Sequence, residues 1–160
     1  MPAPINIERL RHTDEGAFFC LRRKAIRAGC AGYYSPAQLD EWTDPRSDGH
    51  LPDPLPEAFC CARMEGQLVA TGMLDMATGE VGAMFVLPEH GRRGIGRAML
   101  HHLEGIARKN DLETIFLDAT LNAVNFYRSQ GFVGEARGVF HSPRGLSLEC
   151  VPMTKSLKGA

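Results

Sequence analysis

The chain has 160 residues, enough for one domain with a sizeable buried core. Eighteen basic and 19 acidic residues give a formal charge of −1, which argues against a general nucleic-acid or membrane-surface binder but leaves room for a local basic patch. An apolar share of 44% with only 23% charged residues argues against extended disorder.

No uncharged apolar run approaches the ~18 residues that span a bilayer. The start, Met1-Pro2-Ala3-Pro4, lacks the basic and apolar regions of a signal peptide. The five cysteines (Cys20, Cys30, Cys60, Cys61 and Cys150) are odd in number and contain no Cys-x-x-Cys pair, which suggests neither a disulfide framework nor a zinc site. They read as reduced thiols of a cytoplasmic protein, mostly buried as small hydrophobes.

In chain order, Ile5 to Leu10 reads as a first strand. Thr13 or Asp14 can cap the helix that follows, whose apolar face is Phe18, Leu21, Ala25 and Ala28, and which Gly29 and Gly32 break. Ser35-Pro36-Ala37-Gln38 signals a second, short helix carrying Leu39 and Trp42, with Ser at the cap and Pro in the first turn. Residues 43–57 hold four prolines and read as a loop. Ala58–Met64 and Leu68–Asp75 form a hairpin across Glu65-Gly66-Gln67, and Glu80–Leu87 is the next strand, ended by Pro88. Gly94–Lys109 reads as a helix with Ile95, Met99, Leu103 and Ile106 on its buried stripe. Thr114–Asp118 is a strand that a helical connection places parallel to its predecessor. Ala123–Gln130 is a helix stopped by Gly131. Phe132–Phe140 and Leu146–Thr154 close the chain as a strand pair across Ser142-Pro143-Arg144-Gly145. The order β-α-α-β-β-β-α-β-α-β-β, without repeat or linker, implies a single α/β (α+β) domain over residues 1–160, a mixed sheet with helices on both faces.

The most informative stretch runs from Val86-Leu87-Pro88 through Gly91-Arg92-Arg93-Gly94-Ile95-Gly96-Arg97. A strand ends, a glycine-rich turn follows and a helix begins, which presents unpaired N–H groups at the positive end of a helix dipole, a setting for phosphate. Three arginines with no acid between them supply the local basic patch. Taken alone, the stretch also fits a glycine-rich connection with solvated arginines. The dinucleotide fingerprint fails because Met99 stands where a third glycine is needed, and the P-loop fails for want of Gly-Lys-Ser/Thr. A second segment, Asn122-Ala123-Val124-Asn125-Phe126-Tyr127-Arg128-Ser129-Gln130-Gly131-Phe132, alone fits an amphipathic helix with a glycine cap.

In this order and spacing the two segments resemble the GNAT superfamily of N-acetyltransferases. That family's acyl-CoA loop, Gln/Arg-x-x-Gly-x-Gly/Ala after Val-x-Pro, is matched by Val86-Leu87-Pro88 and Gly94-Ile95-Gly96. Its later pattern is matched by Asn122, Phe126, Tyr127, Gly131 and Phe132. Tyr34-Ser35-Pro36 and Trp42 are similar to the first helical region of some small bacterial members. One departure is that Gly91 stands at the usual Gln/Arg position, with Arg92 and Arg93 beside it. The N–H cradle survives, since any non-proline residue donates.

The resemblance implies a GNAT-like splayed sheet and direct acetyl transfer from acetyl-CoA, without a metal, to a small amine or peptide acceptor. It implies that backbone groups of Met84, Phe85 and Val86 pair with the pantetheine arm, with the N–H of Phe85 or Val86 polarising the thioester carbonyl. The amides of Gly91, Arg92, Arg93, Gly94, Gly96 and Arg97 would hold the pyrophosphate, and Asn122 would bond the arm from the other side. Tyr127 takes the general-acid position. For the base, Glu80, Asp75, Asp118 and His141 are candidates, with Glu80 on the acceptor-facing strand. Tyr33, Tyr34, Trp42 and the proline-rich loop would wall the acceptor pocket, with His141 near it. Many proteins of this fold pair through C-terminal strands, so a homodimer using Leu146, Leu148 and Val151 is expected. A different class is a non-catalytic acyl-CoA sensor or interaction protein on the same fold; Tyr127 argues against it, and Gly91 at the usual Gln/Arg position argues for it.

Overall fold

The computed structural model describes residues 5–142 and 145–158. Among these residues, eleven strands and α-helices follow in the expected order: β1 (Asn6–Arg9), α1 (Glu15–Cys30), α2 (Pro36–Trp42), β2 (Phe59–Met64), β3 (Gln67–Leu74), β4 (Val81–Val86), α3 (Ile95–Lys109), β5 (Thr114–Thr120), α4 (Val124–Ser129), β6 (Gly138–His141) and β7 (Ser147–Ser156). Strands β1-β2-β3-β4 form one antiparallel sheet and β5-β7-β6 another. Among the described residues, one parallel bridge, between Glu80 and Phe116, joins the two in strand pairing, next to a hydrogen bond from the Phe116 N–H to the Gly79 carbonyl at 3.0 Å. The mixed sheet is therefore splayed, as expected, with β4 and β5 parallel and parting beyond Glu80.

Helices cover both faces. The β2–β3–β4 register puts Phe59, Met73, Thr71 and Phe85 on one face. The Phe18 ring of α1 packs there, 5.4 Å from Phe59 and 6.2 Å from Phe85. Gly72 turns to the opposite face, where a Cβ would come within 2.7 Å of Met99 Cγ on α3, so only glycine permits this helix–sheet approach. On α3, Ile95, Met99, Leu100, Leu103 and Ala107 are buried, while Ile106 is only half-buried. Each fully buried Ile, Met or Leu side chain contributes roughly 1.5–3 kcal/mol.

The N-terminus of α1 is anchored by charge. Asp14 accepts from the Arg11 N–H at 2.9 Å and from Arg63 Nη2 at 2.7 and 2.8 Å, and Arg63 Nε donates to Glu8 at 2.7 Å. Of the two candidate caps, Asp14 fills the N-cap position. The predicted face of α1 was rotated: Leu21 and Phe18 are buried, but Ile26 and Cys30 complete the stripe while Ala28 is exposed. Gly29 lies inside the helix, which ends at Cys30. Helix α2 has the expected reciprocal cap, with Ser35 Oγ accepting from the Gln38 N–H and Gln38 Oε1 from the Ser35 N–H.

Two expectations are corrected. The strand expected over Phe132–Phe140 is reduced to β6, because Gly131 and Gly134 sit at positive φ and only Val133 bridges to Thr154 before it. Pro143 and Arg144 of the closing turn lie outside the described residues. Leu146, Leu148 and Val151 offer no apolar edge to a second copy, since all three are buried in the protein's own core. The exposed apolar side chains of this region are Val139 and Phe140 on β6.

Candidate functional site

Where β4 and β5 part, a cleft of about 640 Å³ opens, closed at one end by Glu80 and lined along its length by Val81–Val86 of β4 and by Leu117, Asp118 and Thr120 of β5. A bulge shapes β4. The two-residue step Thr71–Met73 on β3 faces the three-residue step Gly82–Phe85 on β4, and Ala83 takes φ +50°. Such an extra residue bends its strand. The Ala83 carbonyl is satisfied by the fully buried Thr71 hydroxyl at 2.7 Å. In the sequence, the signal for this bulge is a lone hydroxyl, Thr71, within the run Leu68–Leu74.

Past the bulge, the Leu87 N–H donates to Val69 at 2.9 Å, toward β3. Alternation along a strand then turns the N–H of Val86, rather than that of Phe85, toward the unpaired edge. The side chains divide between the faces. Phe85 packs on α1, whereas Met84 and Val86 pack toward α3, with Met84 Sδ and Val86 Cγ2 lying within 4 Å of where a Cβ on Gly72 and Gly96, respectively, would stand.

The glycine-rich loop lies just beyond this end of the cleft. Gly94 caps α3 at φ +79°, a conformation natural to glycine, and Arg92 adopts φ +61°. Gly91 takes an ordinary φ of −63°, so it is not required there for its freedom. The α3 N-terminus has no side-chain cap, and among the described residues the N–H groups of Arg92 to Arg97 meet no acceptor. Arg92, Arg93 and Arg97 are exposed and form no ion pair among the described residues. A Cβ on Gly96 would sit 3.5 Å from Phe126 and 3.7 Å from Val86, ordinary contacts, so protein packing alone does not demand glycine. Six unpaired donors beside three free cations fit a pyrophosphate.

Tyr127 lines the opposite wall. Its ring packs between Phe126 and Phe132, at 5.1 and 5.6 Å, and among the described residues its hydroxyl has no hydrogen-bond partner. Burial pushes its phenol well above the ordinary tyrosine range, so it is a protonated donor across the neutral range. Asn122 also lines the cleft, with its Oδ1 accepting from Cys30 Sγ at 3.3 Å, and burial pushes that thiol up to about 11.

Helix α1 spans the mouth of the cleft: Phe18 meets Phe85 of β4 near one end and Cys30 meets Asn122, just past β5, at the other. Arg22, Ala25 and Ile26 therefore roof the gap between the sheets, and all three line it. Tyr34 and Trp42 line it as well, edge to face at 5.5 Å. The Tyr34 hydroxyl is committed to the Glu149 carbonyl and the Leu121 N–H.

Other expected acceptor-side groups are not brought in. Tyr33 is exposed and outside the cleft. The proline-rich loop contributes no lining residue; it is pinned instead by the Leu51 N–H donating to Glu15 at 2.7 Å. His141 stands outside, exposed, with Nδ1 3.1 Å from Ser147 Oγ, while its neighbour Phe140 lines the cleft. Of the four candidate bases, Glu80 and Asp118 line the cleft and Asp75 and His141 do not. Among the described residues no group of three or more His, Cys, Asp or Glu could hold a metal ion, and no helix is long and apolar enough to cross a membrane. The cysteines are free, four of them buried.

The site is thus an open strand edge between two sheets with a donor-rich helix start beside the gap. The model of the acetyltransferase (GNAT) family matches residues 24–132, and the chain belongs to that family. Solved structures agree in fold. A GCN5-related N-acetyltransferase from Rhodopseudomonas palustris superposes with TM-score 0.87 at 22% identity, covering 98% of this chain and 99% of that one. The PaiA N-acetyltransferase from Thermoplasma acidophilum, in complex with coenzyme A, gives 0.74 at 21% identity over 96% and 99%. The ribosomal-protein-S18-alanine N-acetyltransferase from Escherichia coli gives 0.67 at 19% over 98% and 96%. No curated protein matches the chain in sequence.

Proposed function

We propose that this protein transfers the acetyl group of acetyl-CoA directly to an amine. The observation that carries the reading is the free edge of β4 along the cleft, ending at the unpaired N–H groups of residues 92 to 97. Acetyl-CoA supplies an activated thioester. Residues 92 to 97 bind its pyrophosphate, and the edge groups of Met84 to Val86 bind its pantetheine arm like an added strand. Asn122 bonds the arm from the β5 side, held in place by Cys30.

The Val86 N–H donates to the thioester oxygen, where negative charge grows as the amine nitrogen attacks the carbonyl carbon. An N–C bond forms and the C–S bond breaks, its electron pair leaving with sulfur. Tyr127 delivers the proton that sulfur needs. The amine arrives largely protonated, since a lysine-like pKa is ~10.4, and must lose protons in the cleft. Glu80, at the closed end of the cleft, takes that role through water, with Asp118 across the gap as the other carboxylate in reach of the same solvent. Tyr34 and Trp42 wall the acceptor side.

Release of free thiol from acetyl-CoA, dependent on both protein and amine, tests the reading. No thiol release with any amine, despite CoA binding by calorimetry, returns the chain to the class of non-catalytic acyl-CoA binders. The free thiols suit the reducing cytoplasm, where we place the protein. Pairing into a homodimer belongs to the same proposal, with Val139 and Phe140 on the edge strand β6 as the contact. Light scattering at micromolar concentration that gives a monomer mass removes it.

A further inference from the structure

Arg22 is the one basic side chain lining the cleft among the described residues; the other charged lining groups are Glu80, Asp118 and Glu149. It stands on the inward stripe of α1, one turn from Phe18 and one from Ile26, where helical periodicity calls for an apolar residue. A guanidinium has five N–H donors. Among the described residues only one hydrogen bond uses them, from Nη1 to the Trp42 carbonyl at 3.3 Å. The acid that acts on it most, Asp48, is held by Arg23, so two arginines share one carboxylate and the group keeps a net positive charge. Glu149 is likewise engaged, by Arg137 at 2.6 Å. Burial lowers the Arg22 pKa, so its charge is kept at a cost that a bound anion would offset.

We propose that Arg22 binds a carboxylate of the acceptor, so that the preferred acceptors are amino acids or other small amines bearing an acidic group rather than plain amines. This rests on the acetyl-transfer reading above and deepens it. The position over the gap fits the role: a carboxylate held by Arg22 from the α1 side leaves the amine of a small molecule directed into the gap, between Glu80 and Asp118, which suit an ammonium group. A zwitterion is the shape of charge that this cleft complements. Arginine suits it better than lysine because the planar fork grips both carboxylate oxygens.

The test measures thiol release with matched pairs, each of several free α-amino acids or ω-amino acids against its own carboxamide. Wild-type protein should favour the acids by about 10- to 100-fold in kcat/KM, the range of a charge-assisted hydrogen bond. In Arg22→Gln and Arg22→Lys the acid-to-amide ratio should fall toward one, more completely in Gln, mostly through KM. Circular dichroism and Tm establish that each variant is folded, and the wild-type comparison stands without them. Amides used as well as acids by the wild type overturn the Arg22 assignment and leave acetyl transfer standing. No thiol release with any acceptor overturns both.

Discussion

The Tyr34 hydroxyl donates to the Glu149 carbonyl at 2.6 Å and accepts the Leu121 N–H at 3.1 Å, so one side chain from the α1–α2 turn ties β7 to the segment that follows β5. Burial pushes its phenol up, consistent with a neutral hydroxyl spent on structure while the ring faces the cleft. Tyr34→Phe leaves both backbone groups without their partner and should cost about 1–3 kcal/mol. Thermal unfolding should show it as a Tm lower by about 2–4 °C per kcal/mol. An unchanged Tm would mean the hydroxyl bonds are not held in solution.

Tyr127→Phe keeps the packing against Phe126 and Phe132 and removes only the proton donor. Turnover should fall by ~10²–10⁴, in kcat and kcat/KM alike, because the proton is needed only as sulfur departs. Because burial raises the phenol's pKa, the wild type should show no loss of rate from tyrosine ionisation in the neutral and mildly alkaline range. Steady-state kinetics of the Phe variant at near wild-type rate would make Tyr127 a packing residue.

At the loop, Gly96→Ala adds a methyl that meets Phe126 and Val86 at ordinary contact distance, so the fold should tolerate it. Gly96→Glu adds bulk and a negative charge where phosphate should lie. Calorimetry should record CoA binding weakened by more than tenfold, a loss above about 1.4 kcal/mol, without a comparable loss in Tm. Equal affinity in the Glu variant would remove residues 92 to 97 from the cofactor site.

Acid should weaken the anchor of α1. Burial pushes the Asp14 carboxyl up, but the hydrogen bonds from Arg63 and the Arg11 N–H outweigh it and hold the folded-state pKa below the ordinary value. A lowered folded-state pKa stabilises fully above the unfolded pKa of ~3.9 and is lost as pH falls through the folded value. Asp14→Asn leaves Arg63, largely buried, with only Glu8 as an acid partner, and should cost about 3 kcal/mol at pH 7. Urea midpoints followed downward from pH 5 should show the gap between wild type and variant narrowing. A constant gap would place the anchor elsewhere.

Local chemistry alone settled the order of elements. Ser35 and Gln38 cap α2, Gly94 and Gly96 open α3, and short apolar runs mark β2 to β4, all within a few positions of one another. The same holds for the loop and for Tyr127, whose motifs are contiguous. The tertiary structure decided what contiguity cannot encode. The bulge at Ala83 depends on register against Thr71, and register, with alternation, is what turns the Val86 N–H to the open edge. Arg22 stood in the sequence as a charge on an apolar stripe, but only the placement of α1 across the gap, from Phe85 to Asn122, puts it over the cleft. Leu146 and Leu148 read as a free edge because their burial is set by Ile26 and Cys30 of α1, by Tyr34 and by Leu39 of α2, all distant in the chain. His141 and Phe140 are adjacent, and which of them reaches the cleft is a matter of strand alternation, fixed when β6 pairs with β7.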